Sequence, residues 1–162
     1  NSLFRALNPL ESVALALLER EGKAHLSLRH VAAEKELIGE AMELLHQFGL
    51  ERDAYALTEA LPYGKQRLLE IVLALALRPK LLLLDEPAAG VNATLLEVIM
   101  DRIREINARG VTFLLIEHNI DMVTRLCHRV LVMASGQLIC EGTAAEVARD
   151  PRVIEAYLGG AA

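Results

Sequence analysis

The first third of the chain carries apolar residues at helical spacing. Asn8-Pro9 can cap and begin a helix, and Gly22 can end it. A second amphipathic helix is predicted from Leu37 to Phe48, with Gly49 as its stop. The polar stretch 21–30 between them predicts a loop. Residues 1–60 therefore favour a small helical unit without a catalytic constellation of its own.

A long apolar helix is predicted next, from Leu61 to Leu77, and a strand follows it. Leu81–Leu84 is an uninterrupted run of leucines, which is typical of a strand buried on both faces. Val111–Ile116 predicts a second such strand. Between them, Asn92 can cap a helix that extends to Ala108 and ends at Gly110. A strand, helix and strand of these lengths predict two parallel strands.

The remaining pattern predicts shorter elements. A helix is expected over Ile120–Cys127, and two strands, Arg129–Met133 and Leu138–Glu141, are joined across Ser135-Gly136. Thr143 and Glu146 form a capping-box pattern. A last helix is predicted to begin at Asp150-Pro151 and to end near residues 159–160. Together these elements indicate an α/β fold.

Composition narrows the class of protein. A hydrophobic content of 53% over 162 residues suffices for the core of one domain. The net charge of −5 with scattered basic residues argues against a nucleic-acid surface. No apolar run reaches the roughly 20 residues that span a bilayer, so we expect no membrane insertion. Cys127 and Cys140 are expected as reduced thiols, and the five histidines show no convincing metal-ligand spacing.

Two carboxylates, Asp85 and Glu86, directly follow the leucine run. Ligands of open parallel sheets bind at the carboxyl ends of the strands, so this pair is placed where a substrate can reach it. One acid can hold Mg²⁺, usually through water, and the next can orient and deprotonate an attacking water. The alternative, a buried strand that ends in a solvated acidic turn, is equally compatible with the pair alone.

Two further segments could contact phosphate. Pro62 and Gly64 mark a tight turn before the long helix, whose first N–H groups and positive dipole end can bind an anion. An ordinary helix-capping turn explains the same residues and is favoured without other context. His118 follows the second predicted strand, at the same sheet edge as Glu86. It could sense a terminal phosphate or be a surface histidine.

In this order and spacing, the segments resemble the ATP-binding-cassette ATPases. Leu61–Gln66 stands where that family has its signature motif, and Leu81–Glu86 resembles the Walker B strand. Gly90–Asn92 matches the D-loop, and His118 the switch histidine. Within the family, the Leu-Leu-Asp-Glu-Pro-Ala-Ala-Gly stretch and the tail from Arg152 to Gly159 are similar to the ATPase subunits of branched-chain amino acid importers.

The resemblance implies roles for particular residues. Asp85 would act at Mg²⁺, through water, Glu86 as general base, and His118 at the γ-phosphate of ATP. Gly90 and Asn92 would belong to the nucleotide site. The signature residues would touch ATP that is held by a second subunit, and they are Leu61, Pro62, Tyr63, Gly64, Lys65 and Gln66.

Several positions depart from the family pattern. Pro62 replaces a common serine, Asn92 a common aspartate and Leu73 a common arginine. The sequence contains no Gly-x-x-x-x-Gly-Lys-Ser/Thr loop, that is, no Walker A. The resemblance therefore implies a partial P-loop NTPase core, the carboxyl-terminal two-thirds of a subunit, with a gap in its sheet that favours self-association or repacking.

The resemblance also implies a division at residue 78. Residues 1–78 would form a helical subdomain that includes the signature helix, and residues 79–162 the carboxyl-terminal part of the ATPase core. The expected function is the ATP-hydrolysing subunit of an amino acid importer, bound to a second ATPase subunit and to transmembrane permease subunits at the cytoplasmic face of the inner membrane.

Two alternatives remain open. The chain could be a non-catalytic module that only supplies its signature helix or docks on partner subunits, because it cannot hold ATP by itself without Walker A. A related ATPase that works on DNA is disfavoured, since the basic surface and long heptads of such proteins are missing.

Overall fold

The structure is a computed structural model that describes residues 6–22 and 35–158. The chain divides into two compact units, residues 1–115 and residues 116–162, and each is described by itself. The boundary predicted at residue 78 separates a helical subdomain from the ATPase core and does not coincide with the boundary between the compact units. It stays a prediction.

The helices of the first unit lie close to their predicted positions. They are α1 (Pro9–Arg20), α2 (Lys35–Gln47) and α3 (Tyr63–Ala76), with single 3₁₀ turns at Glu51–Asp53 and Thr58–Ala60. The predicted start of α1 is confirmed in atomic detail. The Asn8 side chain accepts the N–H of Glu11 at 2.8 Å, and the Glu11 carboxylate accepts the N–H of Asn8 at 3.0 Å. The predicted 21–30 loop lies outside the described residues from residue 23 onward.

The three helices pack on one another around aliphatic side chains. Val13 and Leu17 of α1, Leu45 of α2 and Val72 of α3 are fully shielded from solvent. Removing side chains of this size from water stabilises a fold by about 1.5–3 kcal/mol each. The apolar residues that recur at helical spacing in the sequence are therefore the residues that form this core.

An ion cluster joins the polar rim of the same helices. The Glu40 carboxylate accepts hydrogen bonds from both Nη atoms of Arg20, at 2.6 and 2.8 Å, and from Nη2 of Arg78 at 3.1 Å. These hydrogen bonds, with Arg20 the larger contributor, lower the pKa of Glu40 to about 2. Glu40 is therefore ionised at neutral pH and ties α1, α2 and the residues after α3 together.

The strand–helix–strand segment is also confirmed. Strand β1 (Leu81–Asp85) pairs with β2 (Thr112–Ile116), and α4 (Ala93–Ala108) connects them. The two strands are parallel. Thr112 donates its N–H to the Lys80 carbonyl at 2.9 Å, which aligns the starts of the strands. Gly110 adopts φ 98°, so it can turn the chain from α4 toward β2 without a Cβ clash.

The prediction that the leucine strand is buried on both faces is wrong. Leu82 is only 8% exposed, but Leu81 and Leu83 are 50% and 60% exposed. Leu114 and Ile116 of β2 are exposed as well. Successive strand residues point to opposite faces. Among the described residues of the first unit, only the Leu82 side of β1 is packed against other elements.

The second unit begins with α5 (Ile120–Leu126), which Asn119 caps by accepting the Met122 N–H at 3.0 Å. Strands β3 (Val130–Ala134) and β4 (Gln137–Gly142) then form the predicted antiparallel hairpin across Ser135-Gly136. Helix α6 (Ala144–Val147) starts with the predicted Thr143–Glu146 capping box. Helix α7 covers Pro151–Leu158, and its predicted end near residues 159–160 lies outside the described residues.

Residues 6–22 and 35–158 contain neither a membrane-spanning helix nor a cluster of metal ligands. No helix within these ranges is long and apolar enough to cross a membrane. Likewise, in these ranges no three side chains among histidine, cysteine, aspartate and glutamate are grouped as a metal ion would require.

Candidate nucleotide site

The acidic pair lies at the carboxyl end of β1. Asp85 is the last residue of the strand and Glu86 the first residue after it, and both are exposed to solvent. Glu86 adopts φ 46°, in the left-handed region that costs a residue with a Cβ about 1–2 kcal/mol. Its carbonyl accepts the N–H of Ala89 at 3.0 Å, and buried Pro87 lies between them. The chain thus turns sharply at the second acid.

The chemistry of the pair suits a Mg²⁺–nucleotide. Carboxylate oxygens are hard ligands, and Mg²⁺ keeps several waters when a protein supplies only one or two of them. Asp85 therefore fits a water-mediated contact to Mg²⁺. Glu86 has an exposed carboxylate that could accept a proton from water.

The predicted signature residues form the start of α3. Pro62 occupies the N-cap position and provides no side-chain hydrogen bond to the helix. Tyr63 and Gly64 follow as the first helical residues. With 14 residues, α3 carries a dipole whose positive end lies at this turn. This is the environment in which backbone N–H groups bind phosphate oxygens.

Two side chains fix this turn against its surroundings. Lys65 Nζ lies 2.6 Å from Oδ2 of Asp53, which belongs to the 3₁₀ turn Glu51–Asp53. Gln66 donates its Nε2 to the carbonyl of Leu61 at 2.8 Å. Leu61 itself is buried. Lys65 and Gln66 thus help to hold the turn. Their contact with ATP, which the family resemblance implies, stays a prediction.

The loop after the acidic pair leads into α4. Gly90 adopts φ 68° and is exposed. Asn92 caps α4, and its Oδ1 accepts the Leu95 N–H at 2.9 Å. The predicted capping role of Asn92 is confirmed. Its predicted role in a nucleotide site is not tested.

The start of α3 and this loop lie against each other. A Cβ added at Gly90 would lie 2.9 Å from Cε1 of Tyr63, and one added at Gly64 would lie 2.2 Å from Cδ2 of Leu95. The structure therefore brings the signature residues and the D-loop residues together within the first unit. The sequence analysis did not predict this contact. The only signal for it in the sequence is a glycine at each of the two positions.

His118 belongs to the second unit and is exposed. Its backbone N–H donates to Glu117 Oε2 at 3.0 Å, and the same oxygen accepts the Asn119 N–H at 3.1 Å. The acid therefore fixes the backbone around His118. The predicted proximity of His118 to Glu86 would join two units that are described separately, and it stays a prediction.

Two family models match separate parts of this chain. A model of the ABC transporter family matches residues 5–89, and a model described as branched-chain amino acid ATP-binding cassette transporter matches residues 137–162. The first match covers more than half of the chain, so this chain belongs to the ABC transporter family. The resemblance inferred from its motifs is confirmed.

Within the family, the chain is similar to ATP-binding proteins of two transport systems. A probable branched-chain amino acid transport ATP-binding protein, LivG of Methanocaldococcus jannaschii, is 34% identical over 98% of this chain and 60% of its own length. The lipopolysaccharide export system ATP-binding protein LptB of Haemophilus influenzae is 33% identical over 98% of this chain and 62% of its own. The chain thus spans about three-fifths of these relatives.

Solved structures agree on the fold. The ADP conformation of MJ1267, an ATP-binding cassette of an ABC transporter, superposes with a TM-score of 0.77 at 31% identity, over 98% of this chain and 65% of that one. The dimeric post-hydrolysis state of MJ0796, bound to ADP and Pi, gives 0.71 at 25% identity over 86% and 58%. The predicted α/β fold with a partial ABC ATPase core is confirmed.

Proposed function

We propose that this chain is the Walker B, signature and D-loop part of an ABC-transporter ATPase that drives branched-chain amino acid import. Glu86 deprotonates the attacking water, Asp85 binds Mg²⁺ through water, and His118 contacts the γ-phosphate of ATP. The signature residues 61–66, with Gly90 and Asn92, face ATP that is held by a second ATPase subunit. Transmembrane permease subunits complete the transporter, and the ATPase lies peripherally at the cytoplasmic face of the inner membrane.

The observation that carries this proposal is the exposed acid pair at the end of β1, on the same unit as the uncapped start of α3. An exposed carboxylate can serve as base, and a helix start can bind phosphate. Family membership supports ATP as the nucleotide. The similarity to LivG, together with the family match over residues 137–162, supports branched-chain amino acids over the lipopolysaccharide that LptB is named for.

The decisive variant is Glu86→Gln, assayed in the full product of the gene. It removes the proton acceptor and keeps the side chain's size, so we expect hydrolysis of MgATP to fall by about 100-fold or more with little loss of nucleotide affinity. Glu97→Gln, on the exposed surface of α4, makes the same charge change away from the site and should leave turnover unaltered. Normal turnover of Glu86→Gln would remove Glu86 from the role of base.

A second candidate function is a non-catalytic module that only supplies its signature turn or docks on partner subunits. The absence of a Gly-x-x-x-x-Gly-Lys-Ser/Thr loop from these 162 residues favours it. Calorimetry of MgATP with the 162-residue chain tests whether the chain can hold ATP by itself. No heat of binding at millimolar nucleotide means that this chain contributes only its share of a site. Saturable micromolar binding means that another segment forms a phosphate site.

A further inference from the structure

The contact between Tyr63 and Gly90 has an unusual geometry. The hypothetical Cβ of Gly90 would lie 2.9 Å from Cε1 and 3.2 Å from Cδ1 of the Tyr63 ring, and real Cβ atoms essentially never approach other atoms within 3.0 Å. The backbone of Gly90, at φ 68°, is also one that other residues adopt at a cost. The ring thus lies close against the Gly90 backbone, where a Cβ would clash with it.

Arg67, one turn further along α3, also contacts the ring. The guanidinium carbon of Arg67 lies 5.5 Å from the ring centroid, and Nε donates to the Tyr63 hydroxyl at 3.1 Å. Arg67 is in turn bound by Glu70 at 2.8 Å. This hydrogen bond to Glu70, with a smaller contribution from Tyr63, raises the pKa of Arg67. A half-exposed tyrosine is therefore oriented by its own helix.

A second contact places a side chain of α4 on the start of α3. Leu95, in the first turn of α4, extends over Gly64, where a Cβ would meet its Cδ2 at 2.2 Å. The Leu95 N–H is bound to Asn92 Oδ1 at 2.9 Å, so the leucine is tied to the end of the loop. Each segment thus places a side chain on the glycine of the other, and the two segments interdigitate.

We propose that Tyr63 is a positioning residue that fixes the Gly90–Asn92 loop against the start of α3, so that both segments meet a nucleotide as one rigid surface. The consequence for ATP rests on the proposed function, but the fixing of the loop does not. Tyr63 acts here through Gly90 and needs no contact with substrate.

The first test is spectroscopic and uses the 162-residue chain, whose ten glycines give a readable set of NMR signals. An aromatic ring shifts the resonances of protons that lie close to it, so the α-protons of Gly90 should be displaced from their random-coil position. Tyr63→Leu should abolish this displacement and Tyr63→Phe should retain it. Tyr55→Leu, at a tyrosine that is 75% exposed, is the control. A Gly90 signal unaffected by Tyr63→Leu would overturn the proposal.

The second test is amide hydrogen exchange in the loop. The N–H of Ala89 donates to Glu86 at 3.0 Å and that of Val91 to Ala88 at 3.2 Å. Loss of the ring contact should speed exchange at these amides by about two- to tenfold, with recovery in Tyr63→Phe. The amides of the buried middle of α3, around Leu69, should keep their rates.

Equal acceleration at both places, or none in the loop, would contradict a positioning role. Neither test uses nucleotide. A normal turnover of Glu86→Gln would therefore count against Glu86 as the base alone, and an unshifted Gly90 signal would count against Tyr63 alone.

Discussion

At the scale of single residues, Glu86 combines exposure with an unfavourable backbone. Its φ of 46° is set by the tight turn between β1 and the loop, in which the carbonyl of Glu86 accepts the Ala89 N–H. Strained backbone of this kind persists where the surrounding structure determines it, and it is concentrated at functional sites. The strain supports the assignment of Glu86 as the working acid, whereas its neighbour Asp85 ends a regular strand.

The strain can be measured by comparing Glu86→Gly with Glu86→Ala. Both variants lack the carboxylate, but only alanine keeps a Cβ that opposes a left-handed backbone. Part of the advantage of glycine is lost to the greater entropy of its unfolded chain. We expect the glycine variant to be more stable by roughly 0.5–1 kcal/mol, from urea unfolding monitored by circular dichroism.

The matched control reverses the sign. Glu97 lies inside α4, where glycine is about 1 kcal/mol less favourable than alanine. Glu97→Gly should therefore be less stable than Glu97→Ala. An alanine variant at residue 86 that equals or exceeds the glycine variant would show that the backbone there is not strained.

At the scale of elements, the cluster of Glu40 with Arg20 and Arg78 links α1, α2 and the residues after α3. Its carboxyl has a pKa of about 2 in the folded chain, below the ordinary value of 4.5. A lowered folded pKa stabilises the fold above the unfolded pKa, and this stabilisation is lost as the pH falls from about 4.5 toward 2. Because the Glu40 side chain is 36% exposed, solvent screening reduces the effect to about 1 kcal/mol.

Glu40→Gln tests this link between the helices. The wild-type chain should be more stable than the variant at pH 7 by about 1 kcal/mol, and the difference should shrink to near zero by pH 2. Glu43→Gln, on the same helix, is the control and should show a smaller pH-dependent difference. A gap between wild type and Glu40→Gln that does not change with pH would mean that the ion pairs do not stabilise the fold.

Local patterns predicted most elements because their signals are local. The Asn8 and Thr143 capping boxes, the glycine stops and the helical spacing of α3 all act within a few residues of themselves. The Tyr63–Gly90 contact could not be predicted, since it joins residues 27 positions apart in the sequence and depends on how α3 meets the loop. The backbone of Glu86 was equally hidden, because nothing in Asp-Glu-Pro demands a left-handed residue.

At the scale of the whole molecule, it can be explained why the prediction that β1 is buried on both faces was wrong. A run of leucines indicates that both faces of a strand are suited to burial, but it does not supply the elements that bury them. In the first unit, the described residues cover the side of Leu82 and leave the alternate positions Leu81 and Leu83 exposed. The same holds for Leu131 and Met133 of the hairpin in the second unit. Each unit thus carries an apolar strand face that water contacts.

Exposed apolar strand faces promote association, so we expect the 162-residue chain to exceed its monomer mass of 17.8 kDa in light scattering at tens of micromolar. Leu83→Lys should shift the population toward monomer, because a charged side chain cannot be buried against another apolar face without a large desolvation cost. Leu57→Lys is the matched control, since Leu57 is 52% exposed and lies outside the strands. It should leave association unchanged. A wild-type chain that is monodisperse and monomeric at these concentrations would mean that the exposed leucines do not drive association. Equal effects of Leu83→Lys and Leu57→Lys would assign the loss of association to net charge rather than to the strand face.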